Sequence, residues 1–225
     1  MIRIFVGTSQ FKDDSAAEKV LEYTLRKNCK SPIEIIFMRN TKDPNNFFGN
    51  FEDKDWWTPF SYLRWAIPEY CEFQGRAIYM DVDQINFRDI SYLFNMNLKG
   101  KALAMREGDY RSCVMVMDCE KLKGILPSVE ELRSSPPSAQ EELVKKVIPY
   151  ATTYDRRWNC LDGEDRRSSD IWHLHFTEMA TQPWSPNWAL DTWNKKGKTF
   201  KARKHPRGDL VYIWKYLLQE AEQNG

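Results

Sequence analysis

The chain has 225 residues, 42% hydrophobic and 14% aromatic, which is enough apolar material for a packed core, and one domain over residues 1–225 is expected. Its 33 Lys and Arg almost balance 32 Asp and Glu, so no basic field points to nucleic acid and specificity must reside in a site. The opening run from Met1 to Val6 is too short for a signal peptide, and no apolar run reaches the roughly 20 residues of a membrane span, so a soluble, cytoplasmic protein is expected.

Ile2 to Val6 reads as a first strand, closed by the small-residue turn Gly7-Thr8-Ser9, which lets a ligand approach the backbone. Ser15-Ala16-Ala17-Glu18 has the form of a capping box, and Ala17, Val20, Leu21, Thr24 and Leu25 follow at helical spacing. Ile33 to Met38 is a second strand, so the chain opens as βαβ and implies a parallel sheet. Thr41 to Trp57 is polar and long enough for a functional loop. Thr58-Pro59 then starts a helix carrying Phe60, Leu63, Arg64, Trp65 and Ile67, which Pro68 bends or ends.

Arg76 to Met80 reads as a short buried strand, and Ala102 to Met105 and Val114 to Met117 extend the sheet. Leu132 to Gln140 is a loop rich in Ser and Pro, followed by a helix from Gln140 to Val147. From Tyr154 onward the chain is aromatic and basic, leading through Trp158-Asn159 to His173-Leu174-His175-Phe176. The five cysteines are scattered and form no C-x-x-C pair, which argues against a disulfide framework and against a zinc site.

The densest chemistry lies at Asp81-Val82-Asp83, two carboxylates one residue apart at the end of the Arg76 to Met80 strand. Open α/β sheets bind ligands outside the carboxyl ends of their strands. Hard cations such as Mg²⁺ or Mn²⁺ take carboxylate oxygens there and share their remaining positions with water and substrate phosphates. Paired aspartates also serve in plain turns by bonding their own backbone. His173 and His175 form a second candidate, since strand alternation puts both imidazoles on one face. The alternative there is a pair of hydrogen-bonded core histidines.

Several blocks in order carry a resemblance: the first strand and its turn, Phe60 to Pro68, the strand into Asp81-Val82-Asp83, Asp89 to Phe94, Trp158-Asn159, His175 to Trp184, and the closing His205-Pro206 with Leu210 to Ala221. Together they resemble the retaining glycosyltransferases of family 8. The resemblance implies a single GT-A (Rossmann-like) α/β domain with a mostly parallel central sheet flanked by helices. It also implies a Mn²⁺ or Mg²⁺ ion on Asp81, Asp83 and His175, and a UDP-sugar as donor substrate. Donor contacts would come from Gly7, Thr8, Ser9, Arg64, Val82 and Gln182, with Gln84 in support. The acceptor, a glycan, a lipid-linked sugar or a protein, is left undefined.

The sequence departs from the family pattern in three places. Gln182 precedes Pro183-Trp184 where the family places a lysine on the diphosphate, so either a cation from the basic stretch Lys195 to Lys204 replaces it or the donor is held more weakly. Arg111-Ser112-Cys113 stands in place of an asparagine block. No clean counterpart exists for the family's Asp-Gln pair near the anomeric carbon, and the candidate carboxylates are Glu107 and Asp162. Without an obvious nucleophile, a front-face transfer fits, in which the leaving phosphate takes the acceptor's proton. An inverting route would instead use Glu107 or Asp162 as general base. Trp56, Trp57 and Trp188 are candidate faces for stacking a sugar.

Two other readings compete. A haloacid-dehalogenase-type phosphatase would use Asp81 as nucleophile and Asp83 as acid/base, but it also needs a later lysine and an acidic pair. A nucleotide-sugar or glycan-binding domain would keep the fold without turnover.

Overall fold

The computed structural model describes residues 1–10, 14–52, 58, 60–136, 138–184 and 203–224. In chain order its elements are β1 (Ile2–Gly7), α1 (Ser15–Asn28), β2 (Ile33–Met38), a 3₁₀ turn at Leu63–Ala66 running into α2 (Ile67–Tyr70), and β3 (Arg76–Asp81). Then come β4 (Gln84–Asn86), α3 (Ser91–Phe94), β5 (Leu103–Met105), β6 (Val114–Asp118), α4 (Val129–Arg133) and α5 (Ala139–Val147). The chain closes with β7 (Ala151–Thr153), a 3₁₀ turn at Arg156–Asn159, β8 (Cys160–Leu161), β9 (His173–His175) and α6 (Gly208–Asn224).

Two compact units result. The first comprises Met1–Gln10, Ser31–Asp81 and Ser91–Asp155 and holds a sheet of order β2-β1-β3-β6-β5-β7. Parallel pairs are β1 with β2, β1 with β3, and β5 with β7; the antiparallel pairs, β3 with β6 and β5 with β6, both involve β6. The sheet is therefore mostly parallel, and its strands read as apolar runs because both faces are buried. Ile4, Phe5, Val6, Ile78, Tyr79, Met80 and Val114 to Met117 are all fully buried. Register sets Gly7 beside Met38 on one side and Asp81 on the other, which aligns the carboxyl ends of three parallel strands.

The second unit comprises Phe11–Lys30, Val82–Ile90 and Arg156–Gly225. A small sheet of order β4-β9-β8 packs with α1 and α6 around Val20, Ile85, Leu174, Phe176, Leu210 and Trp214. The long α6 buries Leu210, Trp214, Leu217 and Ala221, a spacing of three or four residues that gives one apolar stripe.

The structure corrects several local expectations. The Ser15 to Glu18 capping box does not form: Asp14 is the N-cap of α1, without a side-chain cap bond, and its carboxylate accepts from Trp184 Nε1 at 3.1 Å. The reciprocal box is found at Ser128 and Glu131 of α4. Pro68 sits in the first turn of α2, where its missing N–H costs no bond, so it opens a helix directly after the 3₁₀ turn where a bend or an ending was expected. The mostly parallel sheet expected is found, with β6 the strand that runs antiparallel to both of its neighbours. The loop expected over 132–140 is shorter, since α4 runs to Arg133 and α5 begins at Ala139.

Candidate functional site

In the first unit the site is built on the carboxyl ends of β1 and β3. Gly7 is required there by space: a Cβ would fall 2.6 Å from Tyr79 Oη and 2.7 Å from Phe60 Cδ2. Thr8 and Ser9 follow it fully buried, with Thr8 N–H donating to Met38 O at 3.2 Å. Tyr79 and Asp81, two apart on β3, share a face, and the Tyr79 hydroxyl donates to Asp81 Oδ1.

Arg64, only 4% exposed, donates from Nη2 to the same Asp81 oxygen at 3.1 Å, from Nε to Ser61 O at 2.9 Å, and from Nη1 to Ser112 Oγ at 3.2 Å. Its guanidinium also lies 4.4 Å from the centre of the Tyr79 ring. Burial works against the Arg64 charge, but Asp81, Tyr79 and Cys113 together outweigh it and raise the pKa. Desolvation likewise pushes the Tyr79 phenol well above its ordinary value, so it stays a donor. Both groups thus serve as fixed donors that orient the Asp81 carboxyl group. Asp81 Oδ2 accepts no hydrogen bond among the described residues.

In the second unit β4 and β9 run antiparallel with Gln84 opposite His175. His175 Nε2 lies 3.4 Å from Asp83 Oδ1, and its Nδ1 lies 3.1 Å from Asn159 Oδ1. Both flanking oxygens only accept, so a neutral imidazole donates to just one of them; the tautomer with Nδ1–H donating to Asn159 turns the Nε2 lone pair towards the carboxylate. That is the tautomer a metal requires, with the outer hydrogen bond that metal-binding histidines use. Gln182 Nε2 donates to Asp83 Oδ2 at 3.0 Å and to Phe176 O at 3.1 Å, while Phe176 N–H donates to Asp83 O at 2.9 Å. Val82 is buried, and the chain passes from the first unit to the second between Asp81 and Val82.

His173 takes the other role open to a paired histidine. It is fully buried, 2.7 Å from Gln84 Oε1, and burial together with neighbouring His175 pushes its pKa down to about 3. It is a neutral core histidine.

The two candidate carboxylates near the chemistry lie in different surroundings. Asp162 is 4% exposed; its Oδ1 accepts from Thr177 Oγ1 at 2.7 Å and Thr177 N–H at 3.2 Å, and its Oδ2 from His205 Nε2 at 2.9 Å. Arg207 N–H donates to His205 Nδ1 at 2.9 Å, which leaves the proton on Nε2 and makes it the donor to Asp162. Asp162 therefore anchors the segment after β9. Glu107 is exposed in the connection between β5 and β6. Trp56, Trp57, Trp188 and residues 195–202 of the basic stretch lie outside the described residues.

Sequence reasoning gave no role in the site to Tyr79, Ser112, Asn159 or His205. Tyr79 had a local signal, its place two residues before Asp81 on one strand face. The others reach their partners across 16 to 48 residues, and no spacing rule reports that.

Comparison with solved structures identifies the architecture. GlyE, a glycosyltransferase of Streptococcus pneumoniae TIGR4, matches at TM-score 0.64 and 13% identity over 99% of this chain and 63% of its own. The galactosyltransferase LgtC in complex with donor and acceptor sugar analogues matches at 0.63 and 9% identity, over 97% of this chain and 96% of its own. Mouse xyloside xylosyltransferase 1 matches at 0.51 and 10%, over 78% and 97%. The chain thus has the GT-A fold and spans 63% of the length of GlyE. A family model, glycosyl transferase family 8, matches residues 8–142, and the chain belongs to that family. A search of curated proteins gave no match.

Proposed function

We propose that this chain transfers a sugar from a nucleotide-sugar donor, a UDP-hexose, to a hydroxyl acceptor with retention, both units serving one catalytic domain. The observation that carries this reading is the Asp83–His175 pair, with Nε2 turned to the carboxylate by Asn159. These residues fit a divalent cation, and Asp81, one residue removed from Asp83 along the chain, is the third ligand in the family pattern. Nitrogen in the donor set favours Mn²⁺ over Mg²⁺. A bound ion would supply positive charge where the departing diphosphate becomes anionic.

This chain's own residues supply position. In this reading the turn Gly7, Thr8 and Ser9 lies beside the nucleoside, although the space next to Gly7 itself is taken by Tyr79 and Phe60; Val82 offers its backbone, and Gln182 steadies Asp83. Arg64 acts by holding Asp81. Because Asp162 is bound on both oxygens, its commitment supports the front-face route, in which the leaving phosphate accepts the acceptor's proton. Glu107 is the carboxylate left as an alternative base. Among the described residues no helix is long and apolar enough to cross a membrane, and a cytoplasmic location is part of this reading.

The test is a panel of UDP- and GDP-sugars with and without Mn²⁺, following nucleoside diphosphate release beside Asp83→Ala. Release from one donor that needs both metal and Asp83 supports the reading and names the sugar. Metal-dependent UDP binding without release in the presence of varied acceptors would point to a binding domain, and absence of nucleotide binding would refute the proposal.

A further inference from the structure

Within the second unit, Thr181, Gln182, Lys204, His205, Val211 and Lys215 line a cavity of about 480 Å³, in the size range of small-ligand pockets. Its position follows from Gln182, whose amide nitrogen reaches Asp83 Oδ2, the carboxylate that faces His175. The cavity therefore opens one residue away from the candidate metal-binding pair. Thr181, Gln182 and His205 are each less than a tenth exposed, so the wall between the two is built of buried polar groups.

Its charge is unbalanced. Arg203, which also lines the cavity, is paired with Glu178, and His205 is hydrogen-bonded to Asp162. Lys204 and Lys215 are exposed, and neither has an ion-pair partner among the described residues. Both lysines therefore bring uncompensated positive charge to the lining of one cavity, and an anion bound there gains charge-assisted contacts. Lysine serves here as a point charge that suits phosphate without demanding a fixed orientation.

We propose that this cavity binds a phosphate group of a substrate through Lys204 and Lys215. The group is either the diphosphate of the donor or a phosphate carried by the acceptor, and naming its bearer rests on the transferase reading above. The affinity of the cavity for phosphate does not.

The experiment is titration calorimetry of wild type and the Lys204→Ala/Lys215→Ala double variant with two probes: inorganic pyrophosphate without metal, and UDP with Mn²⁺. Circular dichroism and thermal melting check that the variant is folded, which the exposure of both side chains favours. Mn²⁺ affinity is measured separately and stays unchanged. A loss of about tenfold in UDP affinity, with the Lys→Arg pair retaining binding, supports the proposal and assigns the cavity to the donor. An unchanged UDP affinity with a similar loss for pyrophosphate supports it and assigns the cavity to a phosphate-bearing acceptor. Equal binding of both probes by wild type and variant overturns it. If wild type binds no UDP even with Mn²⁺, the transferase reading fails, and lysine-dependent pyrophosphate binding still decides the cavity.

Discussion

Asn159 Oδ1 stands 3.1 Å from His175 Nδ1, where it accepts from the tautomer whose Nε2 is free to bind a cation. Replacing Asn159 by Leu removes the acceptor and lets the proton move to Nε2. Mn²⁺ affinity should fall by roughly 10- to 100-fold, the usual effect of losing such an outer partner. Titration with Mn²⁺ checks this, and Asn159→Asp, which restores an acceptor, should recover binding. Unchanged affinity in the Leu variant would remove the tautomer argument.

Arg64 and Asp81 form a buried ion pair, with side chains 4% and 9% exposed. Truncating one partner leaves an uncompensated buried charge, so Arg64→Met should cost about 3 kcal/mol or more in urea unfolding. Tyr79→Phe removes one donor to the same oxygen and should cost only about 1 kcal/mol. Equal losses for the two variants would contradict the charge argument.

Gly7→Ala places a methyl group 2.6 Å from Tyr79 Oη and 2.7 Å from Phe60 Cδ2. Overpacking of this kind costs about 1–3 kcal/mol, and here it also pushes Tyr79 away from Asp81. The melting temperature should drop, and introducing the change into a Tyr79→Phe background should recover part of the loss. Full additivity of the two substitutions would show that they do not meet.

On α1 and α6, Glu220 accepts from Lys27 Nζ at 2.6 Å, Tyr23 Oη at 3.2 Å and Tyr216 Oη at 2.9 Å. Lys27 and then Tyr216 hold the Glu220 carboxyl below its ordinary 4.5. A folded pKa below the unfolded one gives stability that is present above 4.5 and lost as pH falls through the lowered value. Lys27 is raised above 10.5, first by Glu220, so its share persists below 10.5 and is lost at higher pH. The melting-temperature difference between wild type and Glu220→Gln should therefore be flat between these limits and shrink below pH 4. Because the pair is exposed, the difference should also shrink with added salt.

Adding Mn²⁺ should raise the melting temperature of wild type and leave that of Asp83→Asn unmoved, because a ligand bound only to the folded state stabilises it by mass action. Chelator should reverse the shift. A shift of the same size in the variant would place the ion elsewhere.

Much of the fold was legible locally. Ile2 to Val6, Ile33 to Met38 and Arg76 to Met80 are mostly apolar, each with a single charged residue, and the most deeply covered of them, β1 and β3, have little polar side to show. The stripe of Val20, Leu21 and Leu25 marked α1 by its period. What escaped was pairing: nothing in Val114 to Asp118 says that it will enter between β3 and β5 in the antiparallel sense. Pro68 misled for a related reason, since the same residue opens a helix or ends one according to the turn that precedes it.

By itself the amino-acid sequence determined the carboxylate pair at a strand's end, the imidazole pair on one face, the glycine where three strand ends align, and the blocks of family 8. These are matters of alternation, composition and short spacing, which a chain carries before it folds. Only the tertiary structure decided which histidine faces Asp83 and which is buried against Gln84, that Asp162 is committed to Thr177 and His205, and that Lys204 and Lys215 share a cavity beside Gln182. Those outcomes depend on contacts between residues far apart in sequence, whose partners are chosen when the whole core closes and each buried polar group must find a match.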